Sequence, residues 1–301
     1  MFQHSASQPR QTALGIGFAL CGTALFTPVF AAGKLADGQV PVLVVIWMRY
    51  VGGVLAVVTA ILATRTSWSQ LRSPTPHWHA VRALFGVSGG ACAIYAATAL
   101  PVADATAIGL TEGLLIVALA AILLGEHVTP RHWLAGTLCA FGALIVVRGA
   151  VAPETTPVAD PTTAWLGAGA AFLGALLIAI ETILIKVLAR RETALGVLIH
   201  VNLFGALLMI VPGWLAMSHS AITLDSALPF LLLGPLAITA QFFVILSLRL
   251  ADAAIIGPVS YSWILFAALL GYIVFGEVPT LWTWAGGALI VAGGIWLARL
   301  K

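Results

Sequence analysis

The chain has 301 residues, of which 61% are hydrophobic and only 8% charged, and its formal net charge is +3. A soluble domain of this length carries about a quarter charged residues, so a water-solvated globule is excluded, and mean hydropathy of +1.06 agrees. The few cations gather at segment ends and form no accessible basic face, which excludes a nucleic-acid partner.

The apolar residues fall in ten runs of about 20, at 13–32, 41–63, 80–99, 103–124, 131–149, 164–185, 195–217, 228–248, 253–275 and 281–299. Each is long enough to cross a hydrocarbon core of about 30 Å as a helix, and a helix satisfies its own backbone in lipid. The alternating ten-residue pattern of a membrane β-barrel is absent. The first run follows Arg10 and ends near Val29-Phe30-Ala31, a signal-peptide-like arrangement; its removal would leave nine spans, so it is read as the first span. The second carries Trp47, Arg49 and Tyr50. Arg49 is either a carboxylate-binding fork or a snorkelling or helix-end residue. A polar loop with His77 and His79 follows. The third run holds Cys92 and Tyr95, with Gly86 and Gly90 as a small-residue face suited to close helix packing.

The fourth run opens on Ala103-Asp104-Ala105, carries Glu112 near its middle, and closes on Gly125-Glu126. A carboxyl at that depth is costly unless it faces a cavity or a partner. Glu112 is either a cavity residue, binding a cargo ammonium or a proton, or a protonated packing group. After the fifth run, residues 150–163 form a polar linker. The sixth ends with Glu181 and Lys186 near Arg190-Arg191, read as a solvated basic end. His200 and Asn202 lie in the seventh run and Gln241 in the eighth. The ninth opens on Ala251-Asp252-Ala253, carries Ser260-Tyr261-Ser262-Trp263, and closes on Gly276-Glu277. Glu126 and Glu277 read as polar turns, and Asp104 and Asp252 as caps at helix starts.

The ninth and tenth runs repeat the fourth and fifth. An offset of 151 lays Thr129 on Thr280, Trp133 on Trp284, Gly136 on Gly287, Gly142 on Gly293 and Arg148 on Arg299; at Ala-Asp-Ala the offset is 148. The chain is therefore duplicated, with an N-terminal segment 1–12, a first half 13–149, a linker 150–163 and a second half 164–301. Five spans per half is an odd number, so the second half enters the membrane inverted, the arrangement that supports alternating access. With the N-terminus inside, Arg10, Arg65, Arg72, Arg82, Arg131, Lys186, Arg190, Arg191, Arg249, Arg299 and Lys301 lie inside, against Lys34 and Arg148 outside. That bias of eleven to two follows the positive-inside rule.

These motifs resemble the drug/metabolite transporter superfamily, in its branch of ten helices built from two EamA-type repeats. The residues that carry the resemblance are Thr111-Glu112-Gly113-Leu114-Leu115 through Leu124-Gly125-Glu126, with Thr129, Trp133 and Gly136. In the second half they are Ala251-Asp252-Ala253, Pro258, Ser260-Tyr261-Ser262, Ala267-Ala268-Leu269-Leu270-Gly271 and Phe275-Gly276-Glu277. Where the family often has Glu-Pro, this chain has Glu112-Gly113, which removes a proline kink and leaves glycine's flexibility. The resemblance implies an all-α carrier with ten transmembrane helices in two inverted repeats, in a bacterial inner membrane with both termini cytoplasmic. It also implies a small-molecule substrate and, by analogy, export of amino acids, aromatic ones included. Uptake or exchange of a vitamin or nucleotide-like metabolite, or a non-transporting scaffold, stands as the alternative.

The expected cavity residues are Glu112, Tyr95, Tyr261, Trp263, Arg49, Trp47, His200 and Gln241. No enzyme constellation appears: there is no paired aspartate, Ser/His pair or HExxH. No cofactor is expected. No metal site is expected either, because His77 and His79 have no suitably spaced carboxylate or cysteine. Cys21, Cys92 and Cys139 read as buried thiols. A monomer or weak homodimer in the lipid bilayer is expected.

Overall fold

The computed structural model describes residues 9–35, 40–67, 71–100, 102–150, 161–220, 222–276 and 278–300. Glu277 and linker residues 151–160 lie outside the described residues, as do the side chains of Lys34 and Asp104. The helices are α1 (Pro9–Leu35), α2 (Val42–Ala63), α3 (Pro76–Ala99), α4 (Val102–Gly109), α5 (Thr111–Leu124), α6 (Pro130–Ala150) and α7 (Pro161–Ala189). They continue as α8 (Ala194–Leu208), α9 (Ile210–Ser218), α10 (Leu224–Ala227), α11 (Leu233–Leu250), α12 (Ala253–Val259), α13 (Trp263–Phe275) and α14 (Leu281–Arg299). Short 3₁₀ turns join α10 to α11 and α12 to α13.

All ten apolar runs are thus helical. Seven are long and apolar enough to span by themselves, and α8 with α9, bent by 43°, makes an eighth. The other two depart for visible reasons. Helix α3 opens with the polar turn Pro76-His77-Trp78-His79, and the fourth run is broken at Leu110 into α4 and α5. Several starts carry proline in the first turn, where its missing N–H costs nothing (Pro76, Pro130, Pro161). Gly125 and Gly276 end α5 and α13 at φ 64° and 69°, the left-handed cap that glycine adopts without a Cβ penalty. Large apolar side chains such as Trp165, Leu281 and Trp284 are exposed, an outer surface suited to lipid. Of the three thiols only Cys139 is buried, and Cys21 is exposed on that outer surface, which corrects the expectation of three buried ones.

The packing repeats the duplication. Helix α6 packs on α14, its own counterpart, and α2 packs on α8; α3 on α7 matches α1 on α11. The contacts run antiparallel. Along α6, Cys139 meets Gly293, Gly142 meets Gly286 and Ile290, and Val146 meets Gly286. Along α2, Trp47 meets Gly213, Tyr50 meets Gly205, and Gly53 meets Asn202. Cys139 Sγ donates to the Ile290 carbonyl at 3.6 Å, a pair separated by the repeat offset of 151. Residues related by that offset touch only where a pseudo-twofold axis passes, so the axis runs through the α6–α14 contact. Small residues make this approach possible: Gly286 has no room for a Cβ against Gly142 and Val146.

Candidate functional site

The axis passes through a second place, where the fourth and ninth runs are both broken. Tyr261 lies in the 3₁₀ turn of the ninth, is 2% exposed, and donates its hydroxyl to the carbonyl of Leu110, again 151 residues away. Leu110 stands at that break, as the residue that opens α5. A Cβ on Gly113 would stand 2.5 Å from the Tyr261 hydroxyl and 2.6 Å from its ring. The glycine at the family's frequent proline position therefore makes room for the tyrosine, where the sequence suggested only flexibility. Glu112 falls in the first turn of α5, directly beside this contact. Neighbouring Ser262 has a buried Oγ with no hydrogen-bond partner.

Glu112 is not alone at this depth. Its carboxylate is close enough to that of Glu181, on α7, for the two to repel. Glu181 in turn faces Arg82 of α3, with Nε 3.4 Å from Oε1, and feels the charge of Arg49 on α2. The Glu181 carboxylate lies against Gly86, where a Cβ would come within 2.7 Å of it. Arg49 stacks over the Tyr50 ring, its Cζ 4.0 Å from the centroid, a favourable cation–π geometry. Arg82 is fully buried, yet none of its three guanidinium nitrogens makes a hydrogen bond. At 3.4 Å the Glu181 pair supplies Coulomb attraction without hydrogen-bond geometry. Two carboxylates, two guanidiniums and Tyr261 thus form a charge-balanced polar centre drawn from both halves.

A different network closes one end of the bundle, where the helix ends carrying Arg131 and Arg249 and the turn carrying Arg190 and Arg191 lie. Lys186 is fully buried. Its Nζ pairs with Glu126 at 2.6 Å and Asp252 at 3.7 Å, and donates to the Ala251 carbonyl at 2.8 Å. Glu126 accepts the backbone N–H groups of Ala253 and Ala254, each at 3.0 Å, and so caps α12 from across the bundle. The reading of Lys186 as a solvated end, and of Glu126 as a polar turn, is corrected: each is buried because the other neutralises it.

The expected cavity residues divide. Glu112, Tyr261 and Arg49 belong to the polar centre; Trp263, the next residue but one after Tyr261, packs on the cluster around Cys139 and Ile290. Trp47 lies over Gly213 as a helix contact. Tyr95 is 46% exposed and stands about 20 Å along α3 from Arg82 by helical rise. Gln241 is partly exposed on α11, beside Ala240, which meets Gly22. His200 joins a separate group with His79 at the arginine-rich end. Arg82 and Glu181 were missed as a pair. Both lie within predicted spans, and intramembrane ionisable residues of opposite sign were the available signal. Two clefts, of about 390 Å³ beside Arg131 and Arg299 and about 240 Å³ beside Lys186 and Arg190, lie at the same end and do not reach the polar centre.

Comparison with known proteins bears on this architecture. The sequence model of the EamA-like transporter family matches residues 13–148 and again 165–299. A riboflavin transporter of Brucella anthropi is 26% identical over 86% of this chain and 89% of its own. A pseudopaline exporter of Pseudomonas aeruginosa is 25% identical over 95% and 96%. An S-adenosylmethionine uptake transporter of Rickettsia prowazekii is 24% identical over 75% and 73%. A protein of solved crystal structure superposes with a TM-score of 0.77 over 98% of this chain and 100% of its own, at 23% identity, a likeness of fold.

Proposed function

The chain belongs to the EamA-like transporter family, and on that premise we propose that it is a secondary carrier for a small heterocyclic metabolite of the vitamin or nucleotide-like class. The observation that carries this reading is the polar centre at the contact between the two halves, where Arg82 of α3 faces Glu181 of α7. A carrier with inverted repeats places its cargo there, and the buried Arg82 guanidinium has donors that no protein group takes. A cargo carbonyl or anionic group meets those donors, and Glu112 accepts from an N–H or cationic edge. Two of the named cargoes of relatives, riboflavin and S-adenosylmethionine, combine a flat nitrogen heterocycle with a hydroxylated chain or sugar. None of the relatives above is named for amino-acid export, so the vitamin or nucleotide-like alternative displaces it. The relatives include an exporter and an uptake transporter, and the proposal carries no direction.

The repeats are proposed to be 13–149 and 164–301, with the arginine-rich end facing the cytoplasm of a bacterial inner membrane, on the strength of the lysine and arginine bias. The test is counterflow in proteoliposomes with riboflavin, S-adenosylmethionine and tryptophan as separate cargoes. Flux of a heterocyclic cargo above that of empty liposomes, lost in Arg82→Gln, is the expected result. Flux of tryptophan alone overturns the cargo class.

A further inference from the structure

Apart from the polar centre, the arginine-rich end holds a second cluster of titratable side chains, which the proposed transport cycle does not use. His79 opens α3 and is fully buried. Its Nε2 lies 2.9 Å from Glu192 Oε2, and its ring stacks on His200 with centroids 4.7 Å apart. One ligand atom from each of His79, Glu192 and His200 lies within 4.8 Å of the others. The surroundings orient these groups. His200 Nδ1 donates to the Gly196 carbonyl at 2.8 Å, which leaves Nε2 with a free lone pair. Ser73 Oγ donates to Glu192 Oε1 at 2.6 Å, leaving Oε2 to face the histidines. Outer partners of this kind fix ring orientation and basicity at metal centres.

A simple His–Glu hydrogen bond accounts for only part of this. It gives no reason for a second imidazole to stack on the first. We propose that His79, His200 and Glu192 form a site for a divalent transition-metal ion of the Zn²⁺ class. Two imidazoles and a carboxylate select Zn²⁺, Ni²⁺ or Co²⁺ over Mg²⁺ or Ca²⁺. In tetrahedral coordination, metal–ligand bonds of about 2.0–2.2 Å set ligand atoms roughly 3.3–3.6 Å apart. The His79–Glu192 pair, now at 2.9 Å, would open by a few tenths of an ångström and the His200 side chain would turn inward, with water as fourth ligand. The ion would join α3 of the first half to α8 and the α7–α8 loop of the second, and so restrain movement between the halves at this end. Sequence spacing hid the site because the His79 and Glu192 positions are 113 residues apart.

The test uses purified full-length protein stripped with a chelator. Titration with ZnCl₂, followed by competition with a chromogenic chelator, is expected to show one ion per chain, a raised unfolding midpoint, and slowed hydrogen exchange in both 73–82 and 190–200. MgCl₂ should do none of these. His200→Gln, which changes a half-buried side chain, and His79→Gln should each weaken Zn²⁺ affinity at least about tenfold, whereas the exposed His219→Gln should not. Absence of stoichiometric Zn²⁺ binding, or binding unchanged in His200→Gln, overturns the proposal. None of these readouts depends on cargo, so their failure is separate from that of the transport reading.

Discussion

Lys186 and Arg82 are both fully buried cations on helices that pack together, yet their surroundings differ. Around Lys186, Glu126 at 2.6 Å and the Ala251 carbonyl at 2.8 Å are acceptors within hydrogen-bond distance, and Asp252 adds its charge at 3.7 Å. Around Arg82, a single carboxylate stands at 3.4 Å and no guanidinium nitrogen is hydrogen-bonded. A fully satisfied buried pair rigidifies the structure it sits in, whereas an incompletely satisfied one is costly to keep. The first network reads as architecture and the second as a place kept open for a ligand.

The comparison breaks most clearly at the satisfied end. Lys186→Met leaves the Glu126 carboxylate buried beside Asp252 without its cation, and should destabilise the protein by about 3–5 kcal/mol. Fluorescence-detected size exclusion after a heat ramp should show it, with Lys186→Met/Glu126→Leu recovering part of the loss. At the open end the order of effects should reverse. Arg82→Gln should lower stability much less but cost cargo about 1.5–3 kcal/mol of binding, roughly 10- to 150-fold. Arg82→Lys should not restore it, because an ammonium cannot present the planar fork. A loss of stability in Arg82→Gln equal to that in Lys186→Met would erase the distinction.

Smaller effects sharpen the picture on the axis. Gly113→Ala drives a methyl against Tyr261 and should destabilise by about 1–3 kcal/mol. Tyr261→Phe, which only removes the bond to Leu110, should cost about 0.5–1.5 kcal/mol; chemical unfolding in mixed micelles separates the two. Glu112→Gln should change stability least while altering the pH profile of transport. A profile identical to that of the unaltered protein would make Glu112 a packing residue.

Much of the fold was legible in one dimension because apolar run length and a repeated Gly-Glu motif are one-dimensional signals. The offset of 151 even anticipates which residues meet on the axis, Cys139 with Ile290 and Leu110 with Tyr261. Glu112 was legible as well, since a carboxyl in mid-span is too costly to stand there without a polar neighbour. The pairs were not. Arg82, Glu181 and Lys186 stand near predicted segment ends, where a charge normally reaches water. Their burial depends on which helix lies opposite, and antiparallel packing of α3 on α7 sets that. Tyr95 and Trp47 stand apart from the polar centre for the same reason: position in a span says nothing about which way a ring faces.

The Lys186 ammonium also has a history within each molecule. If the lysine and arginine bias orients the chain as proposed, Lys186 acts with Arg190 and Arg191 during insertion to hold its end of α7 inside, while Glu126 weighs little. Once α12 docks and Glu126 closes over it, that same charge disappears from the surface. On that topology, a side chain that helps to orient a helix in the bilayer ends as an internal rivet, and a neutral substitution there would be felt twice, in biogenesis and in the folded state.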